Sequence, residues 1–378
     1  PIRRIQSIDA LRGVAVLGIL VINVISYGLI VVLAVVIMRQ YTKSRQLRAV
    51  ASLGFLFLTP LLWVSKMAWT EPLFSVFCLV FFVFIEKYCL ETRVRYLLGA
   101  AVIAGLAMVL RLAGLTLLLS GVFYLLIRSS GHRLMTSISR CLLLGVVASL
   151  PVLCWMFFNA LQTGSPLGTR GASPYTIWEN MLSTADVMST WFVAREFDLL
   201  PRLAVVGALV IVGVWAYFRF ARFHGQRVRK FGILAWFCVV YTLFIISVSS
   251  LVHFDQINNR LLSPLLVPVF LLLVKYLDRL PSTSRPRSIL KDRSVHIGAL
   301  LLSFWLVVFY IPSTVREVAT AMEWGAGGYN SKMWHESEIV DWISNAPEDD
   351  RIISAEHYGV YHMTGRSVGP LPHGRRFL

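Results

Sequence analysis

The chain has 378 residues, of which 57% are hydrophobic and only 15% charged, and its formal net charge is +16. Soluble domains carry about 25% charged residues, so the composition excludes an ordinary soluble globular protein and implies lipid as solvent. The basic excess does not point to nucleic acid, because it sits in short loops between apolar runs, where positive charge sets membrane topology.

Apolar runs predict about ten spans, at 14–38, 49–64, 71–86, 96–110, 113–127, 141–160, 202–220, 231–252, 261–277 and 295–311. Several fall short of the roughly 20 residues that cross a hydrocarbon core, which suggests tilted or broken helices inside a bundle. The pair around Arg111 also reads as one bent hairpin. Loops at 39–48, 86–95, 128–140, 219–230 and 275–293 hold 21 of the 36 Lys and Arg residues. Alternation puts all five on one face, which the positive-inside rule makes cytoplasmic. The opposite face receives 161–201 and the tail from Pro312, and the tail itself carries six Lys and Arg against nine Asp and Glu. One segment conflicts: alternation puts Arg3, Arg4 and Arg12 outside, whereas a basic start belongs in the cytoplasm. Cys78, Cys89, Cys141, Cys154 and Cys238 lie in or beside spans, so neither a disulfide framework nor a zinc site is indicated.

The tail reads as a small α/β unit outside the membrane. "SKMWHESEIVDWISNAP" has helical apolar spacing at Met333, Ile339, Val340, Trp342 and Ile343, ended by Pro347. "DRIISAEHYGVYHMTGR" follows, with a β-branched run suited to a strand.

Four polar patches interrupt this apolar background. In "SKMAWTEPLF", Lys66 and Glu71 stand at the end of two spans. A charge there needs protein or water beside it, although a carboxylate in a first turn also simply complements the helix dipole. Arg111 has apolar residues on both sides and requires an anionic partner, a lipid phosphate, or a snorkelling path to the interface. "TGSPLGTRGASPYTIWEN" is a Gly/Ser/Pro loop in which Arg170 and backbone amides suit a phosphate; Trp178, Trp191 and Phe192 beside it suit an interfacial belt. "HFDQINNRLLSPLLVP" gathers His253, Asp255, Asn258, Asn259 and Arg260 at a span start, either as a site or as a polar cap, with Pro264 and Pro268 distorting the helix beyond. His357 and Tyr358 stand in the tail.

These patches recur in order in one family. From about residue 29 onward, "TEPLF", "LRLAGL", "GSPLGTRGAS", "NNRLLSPLLVP", "SEIVDWI" and "TGR" resemble the GT-C superfamily of membrane glycosyltransferases, in its aminoarabinose-transferase and protein-mannosyltransferase branch. The resemblance implies an inverting transfer of sugar from a polyprenyl-phosphate donor to a lipid, glycan or protein acceptor on the non-cytoplasmic face. It places Lys66, Arg111, Arg170 and Arg260 on the donor phosphate, and gives Glu71 an orienting or acidic role. Asp255, Asn258, Asn259, His357 and Tyr358 are then candidates for substrate contact. It fixes no cofactor and leaves room for a divalent metal. In that family an aspartate in the first outer loop supplies the base, and this sequence has no such loop after its first span. Residues 3–28 instead resemble the opening of the uncharacterised YeiB-like membrane group, with "DALRG" at Asp9 to Gly13 and Asn23.

The expected architecture is therefore an all-α membrane bundle of about ten spans, divided into a 1–28 opening, a 29–311 bundle and a 312–378 tail. The expected function is a multi-pass cell-envelope glycosyltransferase, or the remnant of one, in the plasma (inner) membrane. The alternative is a non-enzymatic membrane protein such as a transporter, which should show paired broken spans and ionisable residues near mid-membrane.

Overall fold

The computed structural model describes residues 2–128, 134–168, 171–193, 195–208, 232–253, 255–279, 289–325, 327–347 and 350–370. Among them, seven helices are long and apolar enough to cross a bilayer: Gly18–Tyr41, Arg45–Ser65, Glu71–Glu91, Met135–Thr163, Gly232–Leu251, Asn259–Asp278 and His296–Trp324. Three shorter apolar helices, Val94–Leu110, Leu112–Arg128 and Leu199–Ala208, fall at the remaining expected positions. Of the ten expected segments, seven thus appear as helices of spanning length and two, 96–110 and 113–127, as shorter ones, while the expected 202–220 span lies outside the described residues beyond Ala208. The chain folds as two compact units, Pro1–Pro312 and Ser313–Leu378.

The first unit opens with α1 (Ile2–Tyr41), a single helix through the whole opening. A tight connection leads to α2 (Arg45–Leu56), whose N-cap Ser44 accepts from the Leu47 N–H. Pro60 cannot continue a helical hydrogen-bond ladder and sits instead in the first turn of α3 (Thr59–Ser65), so one span is made of two pieces. The same logic starts α4 (Glu71–Glu91) at Glu71–Pro72; Thr92, in the left-handed region at φ 55°, ends it. Then follow α5 (Val94–Leu110), a 3-10 turn at Leu112–Gly114, α6 (Leu115–Arg128) and α7 (Leu134–Thr163). Next come α8 (Ile177–Ser189), α9 (Leu199–Ala208), α10 (Gly232–Leu251), α11 (Asn259–Arg279) and α12 (Ile289–Trp305).

Spans that are apolar all round bury one face on protein and offer the other to lipid. Phe74, Phe81, Phe82, Phe237 and Tyr241 are buried on the inner side, while Val24, Leu142, Phe157 and Leu300 are exposed on the outer. A five-residue π segment, Leu306–Tyr310, follows α12 and turns Tyr310 inward, where its hydroxyl donates to the Trp191 carbonyl. Trp305 stacks on Phe192, Phe270 and Phe309 beside it.

The second unit holds most of α13 (Ile311–Trp324), then α14 (Lys332–His335), α15 (Glu338–Asn345) and α16 (His357–Thr364). Its sheet is two residues wide, with β1 (Ile353–Ser354) parallel to β2 (Gly369–Pro370). Two expectations change here. The single amphipathic helix over 331–347 breaks at Glu336–Ser337, and only Val340 and Ile343 of its five apolar positions are buried; Met333, Ile339 and Trp342 are exposed. The strand expected on the β-branched run is two residues long, Ile353–Ser354, and "HYGVYHMT" after it coils into α16 and packs Val360 with Ile343 and Val368. Gly365, at φ +69°, caps α16 in a conformation that glycine adopts without strain. The Arg366 guanidinium donates to the Ile343, Ala346 and Pro347 carbonyls, closing the end of α15.

Candidate functional site

Glu71 lies in the first turn of α4, and its side chain is completely buried. A buried carboxylate needs compensation, and two guanidiniums provide it. Arg111 Nη1 pairs with Glu71 Oε1, and Arg260 Nε lies 2.6 Å from the same oxygen. Oε2 is buried with no hydrogen-bond partner among the described residues.

Local backbone explains how each cation arrives. Arg111 caps α5 with an extended backbone, φ −152°, which ends the helix and leads into the 3-10 turn. Its carbonyl accepts from the Gly114 N–H. Gly114 packs so closely on α5 that a Cβ would lie 2.4 Å from the Met108 nitrogen. Arg260 occupies the first turn of α11, where Asn258 Oδ1 accepts from the Arg260 and Leu261 N–H groups as an N-cap. Pro264 cannot return a hydrogen bond to the Arg260 carbonyl; the Ser263 hydroxyl donates to it instead, and Tyr241 donates to the Leu261 carbonyl. The distorted first turn is thereby held.

Further contacts orient the cluster. Arg260 Nη1 is 3.3 Å from Asp255 Oδ2, and its guanidinium lies 4.9 Å from the Trp69 ring centroid. Arg111 Nη1 donates to Thr70 Oγ1 at 3.3 Å. Asn23, itself buried, donates to the carbonyls of Met67 and Trp69 and so fixes the linker before Glu71. Side-chain exposure rises from 0% at Glu71 to 16% at Arg111, 31% at Arg260 and 71% at Asp255. The carboxylate is the floor and the guanidiniums face outward. The N-termini of α4 and α11 meet here and add partial positive charge. An anion that reaches the open side meets two cations held by a single buried carboxylate.

Of the expected site residues, Glu71, Arg111, Arg260 and Asp255 converge, with Asn258 holding the backbone beneath. Lys66 caps α3 through its own N–H; the ion-pair partners of Glu71 among the described residues are Arg111 and Arg260. Asn259 is turned to Trp191, accepting from its indole N–H at 2.9 Å. That bond corrects the expected interfacial place of Trp191, which is 1% exposed and packed in the bundle. Arg170 lies outside the described residues, and His357 and Tyr358 belong to α16 of the second unit. Among the described residues, no group of three or more His, Cys, Asp or Glu is placed to hold a metal ion.

Sequence reasoning missed Trp69, Thr70 and the role of Asn23. The signal for Asn23 was available, as a lone carboxamide in an apolar run that must find partners inside the protein. Arg202 was missed as well. It is buried and bound to Asp186 at 2.9 Å and to the Phe197 carbonyl, tying α9 back to α8.

Residues 5–155 match the family model described as dolichyl-phosphate-mannose-protein mannosyltransferase. The matched stretch contains Glu71 and Arg111, stops before Arg260, and runs through the region where two resemblances were expected to meet. Over that stretch the chain is similar to membrane glycosyltransferases of the mannosyltransferase type. No curated protein and no solved structure matches the chain.

Proposed function

We propose that this bundle is a glycosyltransferase that takes a sugar from a polyprenyl-phosphate donor and transfers it, with inversion, to a lipid, glycan or protein acceptor. The reading is carried by one observation: two partly exposed guanidiniums, from α11 and from the turn after α5, share one fully buried carboxylate. Such a pair suits a phosphate ester as leaving group. The acceptor oxygen attacks the anomeric carbon, the bond from that carbon to the phosphate oxygen breaks, and the bonding electrons stay on the phosphate. Arg111 and Arg260 stabilise that growing charge electrostatically. The acceptor's proton goes to a general base. Glu71, clamped between two cations, is the orienting carboxylate and not that base. The family match over residues 5–155 supports the same reaction class. The basic loops at the opposite end of the spans support a non-cytoplasmic site in the plasma (inner) membrane, with the tail on the same side.

The test is sugar transfer by membranes containing the full chain, supplied with a radiolabelled polyprenyl-phosphate sugar. Wild type is expected to transfer label, and Arg260→Ala to lose about 100-fold or more. Solute flux through the protein without any sugar transfer would overturn the proposal in favour of a transporter.

A further inference from the structure

A second buried charge cluster lies on the same two helices as the site. Glu86 follows Glu71 by fifteen residues on α4, and Lys275 follows Arg260 by fifteen on α11. Each interval spans about 22 Å of helix. Glu71 and Arg260 meet at the N-terminal ends, so equal spacing brings Glu86 and Lys275 to matching depth in a parallel pair.

The surroundings of that second pair are built. Glu86 is 6% exposed and Lys275 1%. Tyr124 donates to Glu86 Oε1 at 3.4 Å, and Arg128 Nη1 donates to the Tyr124 oxygen at 3.2 Å. The Tyr41 hydroxyl hydrogen-bonds Glu86, and Lys275 Nζ stands 4.3 Å from the Tyr41 ring centroid. Lys275 lies within electrostatic reach of Glu86. One turn on, the Asp278 carboxylate accepts from the Lys43 and Ser44 N–H groups, both at 3.0 Å, anchoring the end of α11 to the α1–α2 connection. Buried charges are costly unless paired, so these contacts need a reason to persist. Between its two ends, α11 carries Pro264 and Pro268, each of which removes a backbone hydrogen bond and softens the helix. An anchor at one end alone does not hold such a helix in register.

We infer that Glu86 and Lys275, which meet Tyr41 at matching depth, are positioning residues whose mutual attraction sets the axial register of α4 against α11 and so keeps Arg260 on Glu71. The consequence for turnover rests on the proposed transfer reaction, whereas the register can be read without it.

The experiment uses the full chain in lipid nanodiscs, with the five native cysteines replaced and spin labels at Ala68→Cys and Gln256→Cys. Both positions are exposed and lie just before α4 and α11. A narrow distance distribution is expected in the parent protein, and broadening in Glu86→Gln and Lys275→Met. Lys275→Arg, which keeps the charge, is expected to stay narrow. If Glu86→Gln does not accumulate in folded form, Glu86→Asp is expected to give intermediate broadening. In the transfer assay, Glu86→Gln is expected to lower kcat about 10-fold or more with little change in KM, and to add nothing to Arg260→Ala. Unchanged distances in Glu86→Gln and Lys275→Met would overturn the inference whatever happens to transfer. Equal broadening in Lys275→Arg and Lys275→Met would overturn it too, since packing and not charge would then set the register. Broadening with normal turnover would uphold the register and count against the proposed role of Arg260.

Discussion

Arg260 reaches Glu71 across a sequence separation of 189, with Nε 2.6 Å from Oε1. The same guanidinium meets Asp255 through Nη1 and covers the Trp69 ring. Three of its surfaces are therefore committed, and a lysine cannot reproduce them. Arg260→Lys is expected to keep the fold but lose about 10-fold or more in sugar transfer. Wild-type turnover in Arg260→Lys would show that a point charge suffices and that the planar fork has no role.

Glu71→Gln tests the opposite member. It keeps the volume but leaves two guanidiniums facing each other over a neutral amide. Removing one partner of a buried ion pair costs about 3–5 kcal/mol. Thermal unfolding in detergent should show a clearly lower midpoint, and transfer should fall with it. An unchanged midpoint would mean that the Glu71 charge is not what holds the cluster.

Gly114→Ala probes the turn that delivers Arg111. The new Cβ would fall on α5 backbone, which cannot move aside as a side chain could. Overpacking of this kind costs about 1–3 kcal/mol, and the first displacement should be of Arg111. Transfer is expected to fall more than stability, measured in parallel on one preparation.

Asn23→Leu removes a buried donor from the Met67 and Trp69 carbonyls. Each carbonyl left unpaired costs about 1–3 kcal/mol. The linker before Glu71 should loosen, seen as faster hydrogen exchange of the amides at 67–71 with exchange in α10 unchanged.

The start of α8 should respond to pH. The Thr176 backbone N–H and side-chain hydroxyl both donate to Glu179, holding its carboxyl below the ordinary carboxylate value. A lowered folded-state pKa stabilises above the unfolded value and is lost as pH falls through the folded one. Hydrogen-exchange protection over 177–180 should therefore be full near neutrality and decline in acid. Glu179→Ala should flatten that profile, and a profile identical to wild type would exclude the capping box as its cause.

Some of this was legible in the chain itself. Runs of apolar residues determined where the membrane helices lie, because a bilayer accepts backbone only when its own groups are paired within helices. Pro60 and Pro72 determined two helix starts, since proline lacks the N–H that a later turn would need. The polar interruptions at Glu71, Arg111 and Arg260 were visible for the same reason, as charges that lipid does not tolerate. Tertiary structure decided which of them meet. Arg111 and Arg260 are far apart in the chain, and both come to Glu71. Trp191 has the chemistry of an interfacial residue but is packed in the core, with its indole N–H donating to Asn259. The β-branched run holds a strand of only two residues, and "HYGVYHMT" beyond it is α16, with Val360 packed on Ile343 and Val368. A residue's neighbours in sequence set what it needs; the packing of helices far apart in the chain sets who supplies it, and that sum of many small contacts has no local signature.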